Sequence, residues 1–243
     1  MAEADPRLPG VVESSPGSPG FLSNLFGLYF GPKEAFSRIV RKPTFWVPLV
    51  LFIALQVAFT AVWLSKMDMM EFLRNQAEAS GRPFQAPPPQ AMGFVRGTFW
   101  AIALLTGPIF IALAAAVYLF IFRFFFASEV NFKQAMAIVS HTFMATGLVS
   151  TPLMLLVFAL KGDWNVAPQE LLQANPTAFF DKEAVAKPLW ALLSSLDLFS
   201  FWVLFLLAVG FGVATKRATG SAFWGVAIPW IIIVAVKVVF ALF

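Results

Sequence analysis

Five long apolar segments constrain the fold of this chain more than any other feature. Their uncharged cores are residues 44–64, 98–122, 135–160, 198–215 and 222–236. A bilayer core of about 30 Å requires about 20 apolar residues in an α-helix, because each residue advances the helix by about 1.5 Å. Each segment reaches that length, or comes close to it and has apolar flanks. The sequence therefore predicts an all-α integral membrane protein with five transmembrane helices.

The composition agrees with a chain that lies mostly in lipid. Charged residues make up 12% of the chain, whereas soluble domains carry about 25%. Cysteine is absent, which excludes disulfides, zinc ribbons, iron–sulfur clusters and thiol nucleophiles. The single histidine, His141, excludes a multi-histidine metal site, so no metal or other cofactor is expected. We attribute the net charge of +4 to loops beside the membrane rather than to nucleic-acid binding.

The chain divides into a short tail and one membrane domain. Residues 1–24 are rich in Pro, Gly and Ser at their start and are predicted to be a disordered cytoplasmic tail. They lack the apolar core of a signal peptide, so the first span is expected to be an uncleaved anchor. The membrane domain covers residues 25–243. Its predicted spans are residues 44–64, 98–122, 134–160, 190–215 and 221–242.

Three segments outside the spans are predicted to be helical. Pro32 suits a first helical turn, and residues 32–41 place apolar side chains between basic ones. We expect this helix to lie in the cytoplasmic interface of the membrane. Loop 65–97 is predicted to begin as a helix, and loop 161–189 is predicted to contain a short helix at 168–174. Neither loop is long enough for a catalytic domain.

Positive charges predict the orientation of the spans. Lys and Arg concentrate in three short segments beside the bilayer: before the first span, after the second and after the fourth. The two longer loops, 65–97 and 161–189, carry their positive charges together with acidic residues. This distribution predicts a cytoplasmic N-terminus and a C-terminus outside. The expected location is the cell (inner) membrane.

Sequence motifs for catalysis are absent. The sequence has no P-loop, and Gly210-Phe-Gly212 lies inside an apolar span without the further glycine of a dinucleotide site. One histidine cannot form a His-Glu-x-x-His zinc motif. Ser150, His141 and Asp197 are the residue types of a catalytic triad, but Ser150 has no nucleophile-elbow context. We therefore expect a non-enzymatic protein, with no catalytic, cofactor-binding or metal-binding residues.

The candidate functional residues are the polar side chains within or beside the spans. Ionisable groups are costly in hydrocarbon and are a default functional hypothesis there. Counting along the helices places Asp197 and Lys237 at similar depth near the outer face, so a salt bridge between spans four and five is plausible. The alternatives are that Lys237 extends to the outer headgroups and that Asp197 caps its helix. His141 is a hydrogen-bonded packing residue or a proton site, and Gln56 is expected to join helices.

Small residues recur at packing distance in the later spans. Ala208 and Gly212, Gly210 and Ala214, and Ser221 and Gly225 are each four residues apart. This spacing places two small residues on one helix face, which allows a neighbouring helix to approach closely. It predicts tight helix contacts and does not indicate a particular function.

Three stretches together resemble the Yip (Ypt-interacting-protein) family in its bacterial form. The first is Phe30-Gly-Pro-Lys-Glu-Ala-Phe36-Ser-Arg-Ile, ahead of a span that opens Phe45-Trp-Val-Pro48. The second is Phe132-Lys-Gln-Ala-Met, which leads into span three. The third runs from Leu196-Asp197-Leu-Phe199-Ser200-Phe-Trp202 to Gly210 and Lys216, and is similar to the family's Asp-x-Phe-x-x-Trp fourth helix.

The resemblance covers about residues 25–240 and implies five spans, a cytoplasmic N-terminus and an external C-terminus. Eukaryotic members are tied to Rab GTPases and vesicle traffic, but their long cytosolic N-terminal region is shortened here, so a GTPase partner is not carried over. The expected function is membrane-organising, trafficking-like or scaffolding. The expected partners are membrane lipids and either another membrane protein or a second copy. The alternative is a small transporter, permease or lipid-translocating protein that uses Asp197 and Lys237.

Overall fold

The computed structural model describes residues 20–168, 174–181 and 184–242. Within these ranges, the regular structure is helical throughout. The α-helices are α1 Phe21–Phe30, α2 Pro32–Arg41, α3 Trp46–Lys66, α4 Met69–Ala79, α5 Pro89–Phe124, α6 Phe132–Lys161, α7 Lys187–Ser195, α8 Leu198–Ala214 and α9 Thr219–Phe240. A single turn of 3₁₀-helix covers Pro176–Phe179.

The spanning helices match the apolar segments of the sequence, with one break. Helices α3, α5, α6 and α9 are each long and apolar enough to cross a bilayer. Helices α7 and α8 are long enough only together, and they meet at a bend of 49°. The predicted all-α membrane class is confirmed. The predicted span over residues 190–215 corresponds to this bent pair, in which one helix ends at Ser195 and a new one begins after Asp197.

Hydrogen bonds between connecting segments define the two ends of the bundle. At one end, Gln134 donates to the carbonyl of Val40, and Arg217 donates to the carbonyl of Phe126 over 2.8 Å. This end of the bundle, called the basic end below, therefore comprises the segments before α3, between α5 and α6, and between α8 and α9. The other end gathers the two long loops. The chain thus alternates between the ends, which is the arrangement that five crossings require.

The interior of the bundle is packed with aromatic and small side chains. The rings of Phe122 and Phe211 stack at 4.6 Å between α5 and α8, and both residues are fully buried. Gly210 brings α8 so close to α6 that an added Cβ would lie 2.5 Å from Ile138. Gly225 of α9 also allows a close approach, since an added Cβ there would lie 3.0 Å from Phe122 of α5. Gly210 and Gly225, two of the small residues noted in the sequence, therefore lie at tight helix contacts.

The long-loop end has a smaller aromatic cluster of its own. Trp63 at the end of α3 is 5% exposed and contacts Phe72 of α4 and Phe99 of α5 edge-on. Asp68 caps α4 by accepting hydrogen bonds from the backbone of Met70 and Glu71. Helix α4 thus forms where the sequence predicted a helical start to loop 65–97. The helix predicted at 168–174 lies largely outside the described residues.

Two helices, not one, precede the first span. The predicted helix over residues 32–41 is present as α2, but its apolar residues Ala35, Phe36 and Ile39 are buried against α6 and α8. The apolar face of α2 therefore packs on the protein, and the position of α2 in the cytoplasmic interface stays a prediction. Helix α1 was not predicted. The predicted tail, residues 1–24, lies mostly outside the described residues, and its last four residues form the start of α1.

Candidate functional site

The polar residues of the fourth span lie at its break. Asp197 is the N-cap of α8, and its carboxylate accepts a hydrogen bond from the backbone N–H of Ser200 at 3.0 Å. The N–H of Leu198 donates to the carbonyl of Ala174 in the preceding loop, also at 3.0 Å. The first turn of a helix has N–H groups without intrahelical partners, and these two bonds satisfy two of them. These two hydrogen bonds therefore stabilise the break between α7 and α8.

Lys237 bonds to the same break from α9, but not to Asp197. Its ammonium group donates to the hydroxyl of Ser195 at 3.0 Å, and that hydroxyl donates to the carbonyl of Ala191 at 2.8 Å. Asp197 and Lys237 do approach the same place along the bundle, as their predicted depths indicated. No ion pair forms between these two described residues, so the predicted salt bridge is replaced by a cap and a lysine–serine hydrogen bond.

His141 lies inside the bundle near the N-terminal helices. It is 1% exposed, and its Nδ1 lies 2.8 Å from the carbonyl oxygen of Ala137, one turn earlier in α6. A carbonyl only accepts hydrogen bonds, so this geometry requires the proton on Nδ1. The ring centroid of Phe21, the first residue of α1, is 6.0 Å away. His141 therefore lies at the contact between α1 and α6.

Gln56 does not join helices in the way the sequence predicted. It is half-buried near the middle of α3. Its neighbours Phe52 and Leu55 do pack on another helix, since both approach Gly147 of α6. No hydrogen bond links the Gln56 side chain to another helix in the part of the chain that the structure describes.

Helices α1 and α2 form an N-terminal hairpin (residues 21–41) that packs against α6 and α8. Tyr29 donates from its hydroxyl to the carbonyl of Ala145 at 2.7 Å, and its ring lies 5.8 Å from that of Trp202 on α8. Arg38 of α2 donates to the side chain of Asn24 of α1 at 2.8 Å, which ties the two helices together. Neither Tyr29 nor Asn24 was a candidate from sequence, because both contacts join residues far apart in the chain.

The stretches that carried the family resemblance come together at this hairpin. Phe36 of the first stretch packs on Gly210, and Gln134 of the second bonds to the carbonyl of Val40. Trp202 of the third contacts Tyr29. The three stretches are distant in sequence, yet they meet where the hairpin joins the bundle. They therefore form one structural unit.

A family model described as the Yip1 domain matches residues 26–240, which is nearly the whole chain. The chain belongs to the Yip1 domain family. The match runs from within α1 to the last residue of α9, so it includes the hairpin contact and the broken span. No curated protein and no solved structure shows a significant match to the chain.

The outer surface of the described part of the Yip1 domain has shallow depressions. One, of about 420 Å³, is lined by residues of α5 alone, between Ala116 and Phe124. Another, of about 240 Å³, lies between α3 and α5 beside Arg96 and Trp100. Among the described residues, no three His, Cys, Asp or Glu side chains converge in a way that could hold a metal ion. The polar residues of the break and the hairpin thus remain the candidate functional groups of this multi-pass membrane protein.

Proposed function

We propose that this Yip1 domain protein is a non-enzymatic, membrane-organising scaffold. The observation that carries the proposal is the close packing of the bundle where α5, α6 and α8 meet. Large side chains such as Phe122, Ile138 and Phe211 are fully buried there, and Gly210 leaves no room for a passage between α6 and α8. A packed interior suits a protein that acts through its surfaces rather than through a lumen.

The proposed partners are membrane lipids and either another membrane protein or a second copy of the chain. Large apolar side chains are exposed along the spans, for example Leu113 at 61% and Ile233 at 57%. Lipid satisfies such surfaces, and a packed membrane partner does so equally well. Neither a nucleic acid nor a GTPase partner is part of the proposal.

The proposed location is the cell (inner) membrane, with the basic end of the bundle in the cytoplasm. Arg41 and Lys42 are exposed where α2 leads into α3, and Lys133 is exposed at the start of α6. Positive residues in short connections favour the cytoplasmic side. Since the hairpin lies at this end, the N-terminus is assigned to the cytoplasm and the C-terminus to the outside.

A second candidate function is transport or lipid translocation through the break in the fourth span. Broken helices with polar side chains near the middle of the membrane are typical of secondary transporters. The bend of 49°, with Asp197 and Lys237 beside it, shares the broken helix and the adjacent polar side chains with that arrangement. We rank this candidate second, because the cap and the Ala174 contact already occupy polar groups that a substrate would need.

Reconstitution into liposomes separates the two proposals. Ion flux and lipid scrambling are measured for the wild-type protein, for Asp197→Asn and for protein-free vesicles. The scaffold proposal predicts that all three preparations give the same rates. A reproducible flux or scrambling activity that Asp197→Asn abolishes would reject the scaffold proposal in favour of the transporter.

A further inference from the structure

Helix α1 has an apolar edge that no part of the described protein covers. Leu22, Phe26 and Phe30 are 65%, 62% and 89% exposed, and their spacing of four residues places them on one face of the helix. The opposite face is buried, since Leu25 and Leu28 are 7% and 1% exposed. The helix is therefore apolar on both sides, but only one side packs on the bundle.

The depth of α1 along the bundle follows from its contacts. Phe21 packs on His141, nine residues after the start of α6. Phe52 of α3 meets Gly147 of α6, so α3, which runs parallel to α6, begins at about the level of His141. Helix α1 therefore begins at the depth at which the first span starts.

The side chains at the start of the first span are those expected at a membrane boundary. Trp46 opens α3 and is 67% exposed, and tryptophan is enriched at headgroup level. One turn later, Val50 is 57% exposed on the outside of a spanning helix, where lipid is its natural contact. At the level of α1, exposed apolar side chains therefore meet the region where headgroups give way to acyl chains.

The charges near α1 fit the same position. Lys33 and Glu34 come three and four residues after Phe30 and are exposed at the start of α2, and Arg41 and Lys42 are exposed at its end. Phospholipid headgroups offer phosphates to Lys33, Arg41 and Lys42, while the acyl chains below them accept apolar side chains. Both halves of a phospholipid therefore find a matching surface on the hairpin.

We propose that α1 is a lipid-inserted interfacial helix, with Leu22, Phe26 and Phe30 among the acyl chains of the leaflet at the basic end. In this proposal α1, rather than α2, presents an apolar face to lipid, because the apolar face of α2 packs inside the protein. This inference goes beyond the proposed scaffold function and does not depend on it. A protein with transport activity could carry the same helix.

The absence of cysteine allows a direct test with single labelled positions. Phe26→Cys and Phe30→Cys are labelled with an environment-sensitive fluorophore and reconstituted in phosphatidylcholine vesicles. Quenching is measured with doxyl-labelled lipid and with aqueous iodide. Val50→Cys is the lipid-facing control, and Lys133→Cys is the water-facing control. Each variant is first compared with wild type for thermal stability in detergent, and Leu22→Cys replaces a position that fails this comparison.

The proposal predicts that the α1 probes behave like the Val50 probe. Doxyl lipid should quench them severalfold more strongly than it quenches the Lys133 probe, and iodide should quench them severalfold less. Quenching by iodide at the level of the Lys133 probe would overturn the proposal. Protection from both quenchers would also overturn it, because the edge would then be covered by protein, whether a second copy or another segment of the chain.

Discussion

Lys237 and Ser195 form a hydrogen bond of 3.0 Å between α9 and the end of α7. This bond joins the last span to the bend in the fourth. Ser195 is largely buried and donates in turn to the carbonyl of Ala191, so the lysine ends a short chain of hydrogen bonds. Asp197, two residues on, takes no part in it and caps α8 instead. The charges of Asp197 and Lys237 therefore act on different elements.

Double-mutant cycles should separate these two roles. Ser195→Ala and Lys237→Met should show a coupling energy, because each removes one partner of the same hydrogen bond. Asp197→Asn and Lys237→Met should be additive within about 0.5 kcal/mol, as is usual for residues without a shared contact. Thermal unfolding in detergent, followed by loss of the helical circular dichroism signal, supplies the stabilities. Coupling in the second cycle as large as in the first would indicate that Asp197 and Lys237 form an ion pair, and would contradict the separate roles described above.

The cap on α8 should tolerate asparagine but not alanine. Asn and Asp are comparably good N-caps, whereas loss of the side-chain acceptor costs about 1 kcal/mol. Asp197→Asn should therefore unfold close to wild type, and Asp197→Ala should be less stable by about that amount. Equal destabilisation by both changes would mean that the charge, rather than the cap, is what the position requires.

The close approach of α8 to α6 should make Gly210 intolerant of any side chain. An added Cβ would lie 2.5 Å from Ile138 and 3.1 Å from Phe36, so Gly210→Ala should destabilise by about 1–3 kcal/mol. Gly97→Ala in α5 is the matched control, since nothing lies within 4 Å of its added Cβ. There alanine should be neutral or stabilising, because glycine is a poor helix former. Similar effects at the two positions would contradict the packing described here.

Asn165 should hold the two long loops together. Its side chain accepts from the backbone of Asp68 at 2.7 Å and donates to Glu71 at 2.8 Å, and both partners lie in the other loop. In Asn165→Ala, amide hydrogen exchange in α4 should become severalfold faster while exchange in the core of α6 stays unchanged. Gln85→Ala, at an exposed loop position, serves as the control. Unchanged exchange in α4 would show that this contact does not hold the helix.

The apolar patterns of the sequence predicted the spans but not the interruption of the fourth. Residues 198–215 form an uncharged run, and apolar length alone cannot tell a continuous helix from two that meet at a bend. The available signal was Asp197 itself, which is a preferred N-cap residue placed directly before that run. The partner of Lys237 could not be read from the sequence, because its bond to Ser195 joins α9 to α7 through a tertiary contact.

The N-terminal hairpin, too, could be predicted only in part from the sequence. Pro32 and the alternation of apolar and basic residues predicted α2 with its observed bounds. They did not show whether its apolar face meets lipid or protein, which depends on Gly210 and Ile138 far along the chain. Helix α1 was missed because it contains Gly27, which lowers its intrinsic helix propensity. The contact with Ala35 that accounts for this glycine is visible only in the fold.

The proposed orientation of the bundle is central to this description, because it assigns the hairpin and the basic end to the cytoplasm and the two long loops to the outside. It is tested most directly by labelling single cysteines with a membrane-impermeant maleimide in intact cells, since the chain has none of its own. Gln85→Cys, exposed in the first long loop, should be labelled from outside. Lys133→Cys, exposed at the basic end, should be labelled only after the cells are permeabilised. Labelling of Lys133→Cys in intact cells, with Gln85→Cys protected, would contradict the orientation.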